Sequence, residues 1–403
     1  MVTKKRNILI CWEFGGGLGH YVPVTIMAKM FNEKDFNVTL VLKDLSRIEY
    51  FKLPPNIKCI KTPHIFNTVK DYTKLSTLSE ILFVNGFNNE DNLKSTIDGW
   101  FEIFDIYKPD VIINDYSPFS VIASKIKNIL SINVGTGFFI PPITKDILIF
   151  RKWETVNIEK CRQTEKIVLE NINNLFSNTK IQFESVIEAV RANTNFITSF
   201  PFIDHYSTER EISEQNLFVG NIVENELGFK YDWPDTDRKK IMIYIKKDYK
   251  YLRFILKELM KLNIDVLIFN DNFNKNIKEL ISNSNIYLSD DILNFDHNLN
   301  YVDLFICNAG NSGLIFSIKK EVPILVLPMH SEQYLLSEVI EENEIGIHLK
   351  FPNINDNFIK NIYKILNDNK YKNNIINYKN KYSELFKDNS ALNKIYDVVV
   401  SNF

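Results

Sequence analysis

Short apolar runs of strand length recur through the first third of the chain, at NILICWEF, NVTLVLKD, IKCIKTP, PDVIINDYS and ILSINVGTG. Runs that are apolar nearly throughout, rather than alternating, are expected of parallel strands covered on both faces. Helical spacing fills two of the gaps. Residues 21–31 place Val22, Ile26, Met27 and Met30 on one face, and 118–127 give a second helix. Strand and helix in alternation predict an α/β, doubly wound domain.

Beyond Gly137 the pattern changes. FFIPPITKDILIFRKW is apolar and carries a double proline, and it leads into a polar stretch from 154 to 191 that predicts one long helix. TNFITSF reads as a strand, and NLFVGNIV follows it. A second series begins near Lys239: KKIMIYIKK, a helix over 251–262, IDVLIFND, a helix over 275–281, NIYLSD, VDLFICNAG, a helix, and VPILVLP. The polar DWPDTD ahead of it has linker composition. The chain thus divides into 1–225, a linker at 226–238, and 239–386, with the helical tail 387–403 expected to return to the N-terminal domain. The Asn, Ile and Lys bias runs the whole length and carries no functional meaning, and no internal sequence repeat is present.

Composition narrows the classes of function. A chain of 403 residues exceeds the roughly 100–200 of a single domain, and 45% hydrophobic against 24% charged residues is ordinary for packed globular cores. A formal net charge of -2 supplies no electrostatic footprint for nucleic acid, so an anionic ligand must be met by local groups. Cys11, Cys59, Cys161 and Cys307 are far apart and form no CxxC pair, which argues against structural zinc or a disulfide framework and for reduced thiols in a cytoplasm. No run reaches the roughly 20 apolar residues of a spanning helix, and the N-terminal run ends in glycines as a first strand rather than a signal peptide. Peripheral contact with the inner face of a membrane stays open.

Three stretches carry candidate chemistry. In WEFGGGLGHYVP, Gly16, Gly17 and Gly19 lie between the first strand and a helix, and His20 falls in that helix's first turn, where the dipole opposes protonation and keeps imidazole available as a base. By themselves such glycines read as a tight turn and His20 as a simple helix cap. Asp115 ends the PDVIINDYSP strand, and parallel strands carry their C-terminal ends to one sheet edge, so Asp115 and His20 are expected to meet there as orienter and base. An Asx turn before Ser117 and Pro118 is the alternative for Asp115. The third stretch is CNAGNSGLIFSIKKEVPILVLPMHSEQ. Asn308, Ala309, Gly310, Asn311, Ser312 and Gly313 form an expected phosphate nest at a helix N-terminus, and Glu332 and Gln333 open the next helix.

In GGGLGHYVP, INDYSP and CNAGNSGLIFSIKKEVPILVLPMHSEQ the chain resembles the nucleotide-sugar glycosyltransferases of the two-domain GT-B fold. The family 1 enzymes of UDP-glycosyltransferase and macrolide glycosyltransferase type are nearest in pattern, the peptidoglycan N-acetylglucosaminyltransferase more distant. The resemblance implies two Rossmann-like domains facing across a cleft and an inverting, metal-independent transfer from a UDP- or dTDP-sugar. It implies no cofactor and no bound metal. His20 then matches the general base, Asp115 its orienting carboxylate, residues 310–313 the diphosphate loop, Glu332 and Gln333 the pair that binds sugar hydroxyls, and the backbone near Ile292, by position, the nucleotide base.

The family commonly has histidine where this chain has Asn308, which cannot carry positive charge. Lys246 or Lys247, after the first strand of the second series, is the expected compensation. The acceptor is a small molecule, a glycan or a lipid-linked group, with FFIPPITKDILIFRKW either its apolar wall or buried packing. Two other classes are a non-catalytic glycosyltransferase-like partner and a nucleotide-sugar 2-epimerase. The epimerase expects an Arg-Pro-Glu signature where this chain has GGGLGHYVP.

Overall fold

The structure is a computed structural model that describes residues 5–66, 69, 74–224, 227–246, 249–270, 275–350 and 354–403. The chain forms two compact units. The first comprises 1–198, 208–222 and 389–403, and the second 199–207 and 223–388.

In the first unit the strands are β1 (Asn7–Trp12), β2 (Asn37–Leu42), β3 (Lys58–Lys61), β4 (Val111–Asp115), β5 (Leu130–Gly135) and β6 (Thr194–Ile197). The helices are α1 (Leu18–Glu33), α2 (Leu78–Leu82), α3 (Glu90–Tyr107), α4 (Pro118–Ile126), α5 (Ile158–Leu175) and α6 (Val186–Val190). The sheet is wholly parallel in the order β3-β2-β1-β4-β5-β6. This is the Rossmann order, with its reversal between β1 and β4, and ligands of such sheets bind at the carboxyl ends of the strands at that reversal. Trp12 and Asp115, the last residues of β1 and β4, are register partners. All but the first residue of β1 and every residue of β4 are buried, as strands with helices on both faces must be.

The apolar pattern read above marks no helix between the third and fourth strands, yet α3 is among the longest helices of the unit. Its buried positions Leu93, Ile97, Trp100 and Phe104 recur at helical spacing, so the signal was in the sequence. Asn89 accepts a hydrogen bond from Asn92 N at its N-terminus. The single long helix expected over 154–191 is instead α5 and α6 with a loop between. Asn173 holds that loop by a two-way bond with the backbone of Phe183, at 3.1 and 3.0 Å, and the Thr179 hydroxyl donates to Phe176 O at 2.8 Å. Asn and Thr side chains compete here with the helical ladder. NLFVGNIV contributes one isolated parallel bridge, Phe218 to Ile197.

The second unit repeats the plan. Its strands are β7 (Lys239–Tyr244), β8 (Ile264–Phe269), β9 (Ile286–Ser289), β10 (Leu304–Cys307), β11 (Ile324–Val326) and β12 (Gly346–His348), parallel in the order β12-β11-β10-β7-β8-β9. Its helices are α7 (Leu252–Leu259), α8 (Lys275–Leu280), α9 (Phe295–Asn298), α10 (Asn311–Lys319), α11 (Ser331–Glu342), α12 (Ile354–Asn367) and α13 (Lys370–Lys381). One apolar cluster packs on each side of this sheet. The segment 199–207 belongs here: Phe200 stacks on Phe386 at 4.0 Å, Phe202 on Tyr378 at 4.6 Å, and Asn343 donates to Phe202 O at 2.8 Å. The final helix α14 (Ser390–Ser401) packs on the first unit, where Tyr396 lies 6.2 Å from Phe31 and the Arg6 guanidinium stands over Phe403. All four cysteines are free thiols. Among the described residues no helix is long and apolar enough to cross a membrane.

Candidate active site

In the first unit the chain leaves β1 at Trp12, turns through the glycines and enters α1 at Leu18, which puts His20 in the first turn. Gly17, the N-cap, has φ 90 and ψ 179, a conformation essentially confined to glycine. Lys43 donates to Gly15 O at 3.0 Å and ties the turn to the end of β2.

His20 Nδ1 lies 2.9 Å from Asp115 Oδ2, and both residues are buried, at 6% and 3% exposure. A carboxylate only accepts, so this bond puts the proton on Nδ1 and the lone pair on Nε2. Trp12 stacks on the imidazole at 5.0 Å and 12°, and Phe139 stacks at 5.3 Å and 29°. The ring is thus held in its plane by two aromatics and in its rotation by Asp115. Nε2 faces Gly15, where an added Cβ would collide with it. Around Gly16, Gly17 and Gly19 such a Cβ would meet nothing within 4 Å. Among the turn glycines, Gly15 therefore abuts the imidazole, a distinction from its neighbours that residue type alone does not make.

Sequence reasoning also missed the two stacking partners, although both lie in stretches it quoted. Part of FFIPPITKDILIFRKW packs within this unit. Phe138 lies against Phe150 at 5.3 Å, Phe139 also stacks on Tyr116 at 4.1 Å, and Pro141 O receives Arg191 at 2.6 Å. Ile143 is exposed.

In the second unit β10 runs into Asn308, then Ala309 in the left-handed region at φ 59, then Gly310 as the N-cap of α10. The first bond of that helix is Leu314 N to Gly310 O at 3.1 Å, so the N–H groups of Asn311, Ser312 and Gly313 lie ahead of the helix's own hydrogen bonding. Gly310 is exposed with open space around it, the condition for a ligand to approach the backbone. Gly313 has a different place: a Cβ there would stand 3.2 Å from the Phe305 ring, so this glycine lets α10 sit close on β10.

The Asn308 side chain is a bracket between strand ends. Its Oδ1 accepts from Lys246 N at 2.8 Å and its Nδ2 donates to Leu327 O at 2.7 Å, tying the ends of β7, β10 and β11 together. Buried Asn270 completes the clamp by donating to Lys246 O at 2.9 Å. Lys246 is therefore fixed by its backbone at the edge where α10 begins, and Lys247 lies outside the described residues. Packing and then the Lys246 charge oppose protonation of His330, the N-cap of α11.

Glu332 stands in the first turn of α11 with Oε1 3.8 Å from Nε2 of buried His205, a neighbour with no counterpart in the sequence reading. Gln333 is buried, and its Oε1 accepts from Met329 N at 2.9 Å, so it closes its own loop. Ile292 follows β9, at the other side of the sheet from β11, and its carbonyl accepts from Phe229 N at 2.6 Å.

Residues 297–392 match the family model described as UDP-glucuronosyl and UDP-glucosyl transferase. That span includes Asn308 to Gly313, Glu332 and Gln333, and not His20, Asp115, Lys246 or Ile292. Comparison with curated protein sequences finds no match. Among solved structures the chain is similar to the kitacinnamycin glycotransferase, with a TM-score of 0.74 at 11% identity over 99% of each chain. It is similar to the calicheamicin glycosyltransferase CalG4, with 0.72 at 11% over 98% of each. It is similar also to the glycosyltransferase VinC solved with dTDP, with 0.68 at 11% over 94% of this chain and 96% of that one. At such identities the likeness is one of fold, and it runs through both units. The family-model match covers a segment of the second unit, and the chain as a whole shares the fold of these glycosyltransferases.

Proposed function

We propose that the protein is an inverting, metal-independent glycosyltransferase that moves a sugar from a UDP- or dTDP-sugar to an acceptor hydroxyl on a small molecule, glycan or lipid-linked group. The buried His20–Asp115 pair carries this reading. His20 Nε2 takes the acceptor proton as the acceptor oxygen bonds to the anomeric carbon. The bond from that carbon to the diphosphate breaks, and its electron pair leaves with the nucleoside diphosphate. Asp115 keeps the Nδ1 tautomer and stabilises the imidazolium that forms, as an orienting carboxylate does for a base in acyl transfer.

Leaving-group charge falls to the second unit. The N-terminus of α10 presents N–H groups and a partial positive charge to a diphosphate, and Lys246 adds a full one. Asn308 supports that role through the backbone of Lys246 rather than by charge of its own. Glu332 is assigned to the sugar hydroxyls and Gln333 to shaping the loop beside it. That VinC was solved with dTDP, and that the matching family model is one of UDP-sugar transferases, favours thymidine and uridine diphosphates as the first ligands to try.

Calorimetry with UDP and dTDP, followed by a transfer and hydrolysis assay over a panel of nucleotide sugars, tests the reading. His20→Ala is expected to lower turnover by at least about 100-fold while nucleotide affinity stays within about twofold, the split expected of a group that acts in the transition state. EDTA is expected to leave turnover unchanged. A folded chain that binds neither nucleotide refutes the donor site, and unchanged turnover in His20→Ala removes the base.

A further inference from the structure

Glu13 stands between Trp12, which stacks on His20, and Phe14, and its carboxyl is wholly buried. Each oxygen has a donor. Trp100 Nε1 of α3 donates to Oε1 at 2.6 Å and Phe119 N of α4 donates to Oε2 at 2.9 Å, and the backbone of Ser120 adds a further bond. The donors from α4 are the orphan N–H groups of a helix start. Pro118 at that start has no N–H, and Ser117, the N-cap, makes no side-chain cap bond. The cap of α4 is therefore supplied from the end of β1, more than a hundred residues earlier in the chain.

The same junction carries a second tie. Phe14 N donates to Tyr116 O at 3.1 Å, and Tyr116 sits in the left-handed region at φ 46, a conformation that costs a side-chain-bearing residue and persists only when its surroundings impose it. Between these ties lies the short connection from Asp115 to Pro118. Asp115 itself lies opposite Trp12 in the register. The bonds at Glu13 and Phe14 thus lock the loop that follows Asp115 to the turn that leads to His20.

We propose that Glu13 is a positioning residue for the His20–Asp115 pair, acting by capping α4 from the end of β1 and so fixing the loop that follows Asp115. It touches no reacting atom, and His20 and Asp115 act as assigned above, so the inference rests on that reading for its kinetic consequences. Its structural consequence, the geometry of the His20 Nδ1 bond, stands apart from any activity.

Glu13→Gln keeps one accepting oxygen and turns an amide N–H₂ toward a donor that had an acceptor. The full-length variant is expected to bind UDP or dTDP as the wild type does. Its kcat is expected to fall about tenfold with little change in KM, short of the roughly 100-fold that an ångström of misplacement costs. In histidine-labelled protein, with His20→Ala to assign the signal, the His20 Nδ1–H resonance is expected to shift or broaden. A folded Glu13→Gln protein whose His20 resonance and kcat match the wild type overturns the proposal. If the wild type turns over no donor, the glycosyl-transfer reading fails on its own, and the His20 resonance alone decides this inference. Should Glu13→Gln fail to fold, Trp100→Phe removes one donor to Glu13 while keeping an aromatic ring, and the same two readouts decide.

Discussion

At the scale of the residue, His20 owes its geometry to groups that no local pattern names. Trp12 and Phe139 fix the plane of the ring, Asp115 fixes the tautomer, and Gly15 leaves the space that Nε2 faces. Gly15→Ala meets two penalties. At φ 76 a residue with a Cβ is strained by about 1–2 kcal/mol, and that Cβ would collide with Nε2. The variant is expected to lose roughly that much stability in denaturant unfolding and at least about tenfold in kcat, a cost in keeping with displacement of the base. Gly16→Ala places its methyl in open space and is expected to cost less on both measures. His20, Asp115 and the glycine turn were visible in the sequence because such residue types at strand ends are chemically unusual. Gly15 was not distinguishable from its neighbours, since the sequence does not say which glycine meets which side chain.

At the scale of the element, two strand ends are held by side chains that reach across the sheet. Asn308→Ala would leave Lys246 N–H and Leu327 C=O without their partner, each at a cost of about 1–3 kcal/mol if no water reaches them. The expected outcome is a lower urea midpoint together with weaker nucleotide binding, because the strand ends that bear Lys246 and α10 loosen together. Glu13 gives a pH signature to the other junction. Burial pushes its carboxyl up to about 8, the bonds from Trp100, Phe119 and Ser120 only partly offsetting this, and the Cys11 thiol of β1 is the titratable group beside it, itself pushed up by burial. An acid whose pKa rises on folding holds more protons folded than unfolded between about 4.5 and 8. Its contribution is fully present below the lower value and is lost as pH rises through the upper one. Melting temperatures of the wild type are therefore expected to fall more from pH 5 to pH 9 than those of Glu13→Gln. At this same scale the strands were legible because their apolar runs are short and bounded by turn residues. Helix α3 is equally patterned, whereas the break between α5 and α6 hangs on Asn173 and Thr179 bonding to backbone, which periodicity does not register.

At the scale of the whole molecule, the chain builds one parallel Rossmann sheet twice, and each unit gathers its functional side chains at the carboxyl ends of its strands. Nucleotide binding to the native state is expected to raise the melting temperature with the logarithm of free nucleotide above Kd, the added stability reaching about 2.7 kcal/mol at one hundred times Kd, with UDP or dTDP as the ligand in a thermal-shift titration. A chain that melts unchanged at millimolar nucleotide argues against the donor site. The fold class, the two series of strands and the residue types at the strand ends are legible locally, because apolar periodicity, glycine and helix-start chemistry act within a few residues. Long-range packing, by contrast, sets β4 beside β1, so that His20 meets Asp115, lets Glu13 cap α4, and lets Asn308 bind backbone on both sides. It also decided that 199–207 packs with the second unit and α14 with the first. Those partners lie tens to hundreds of residues apart, and strand order and burial, which no local window contains, bring them together.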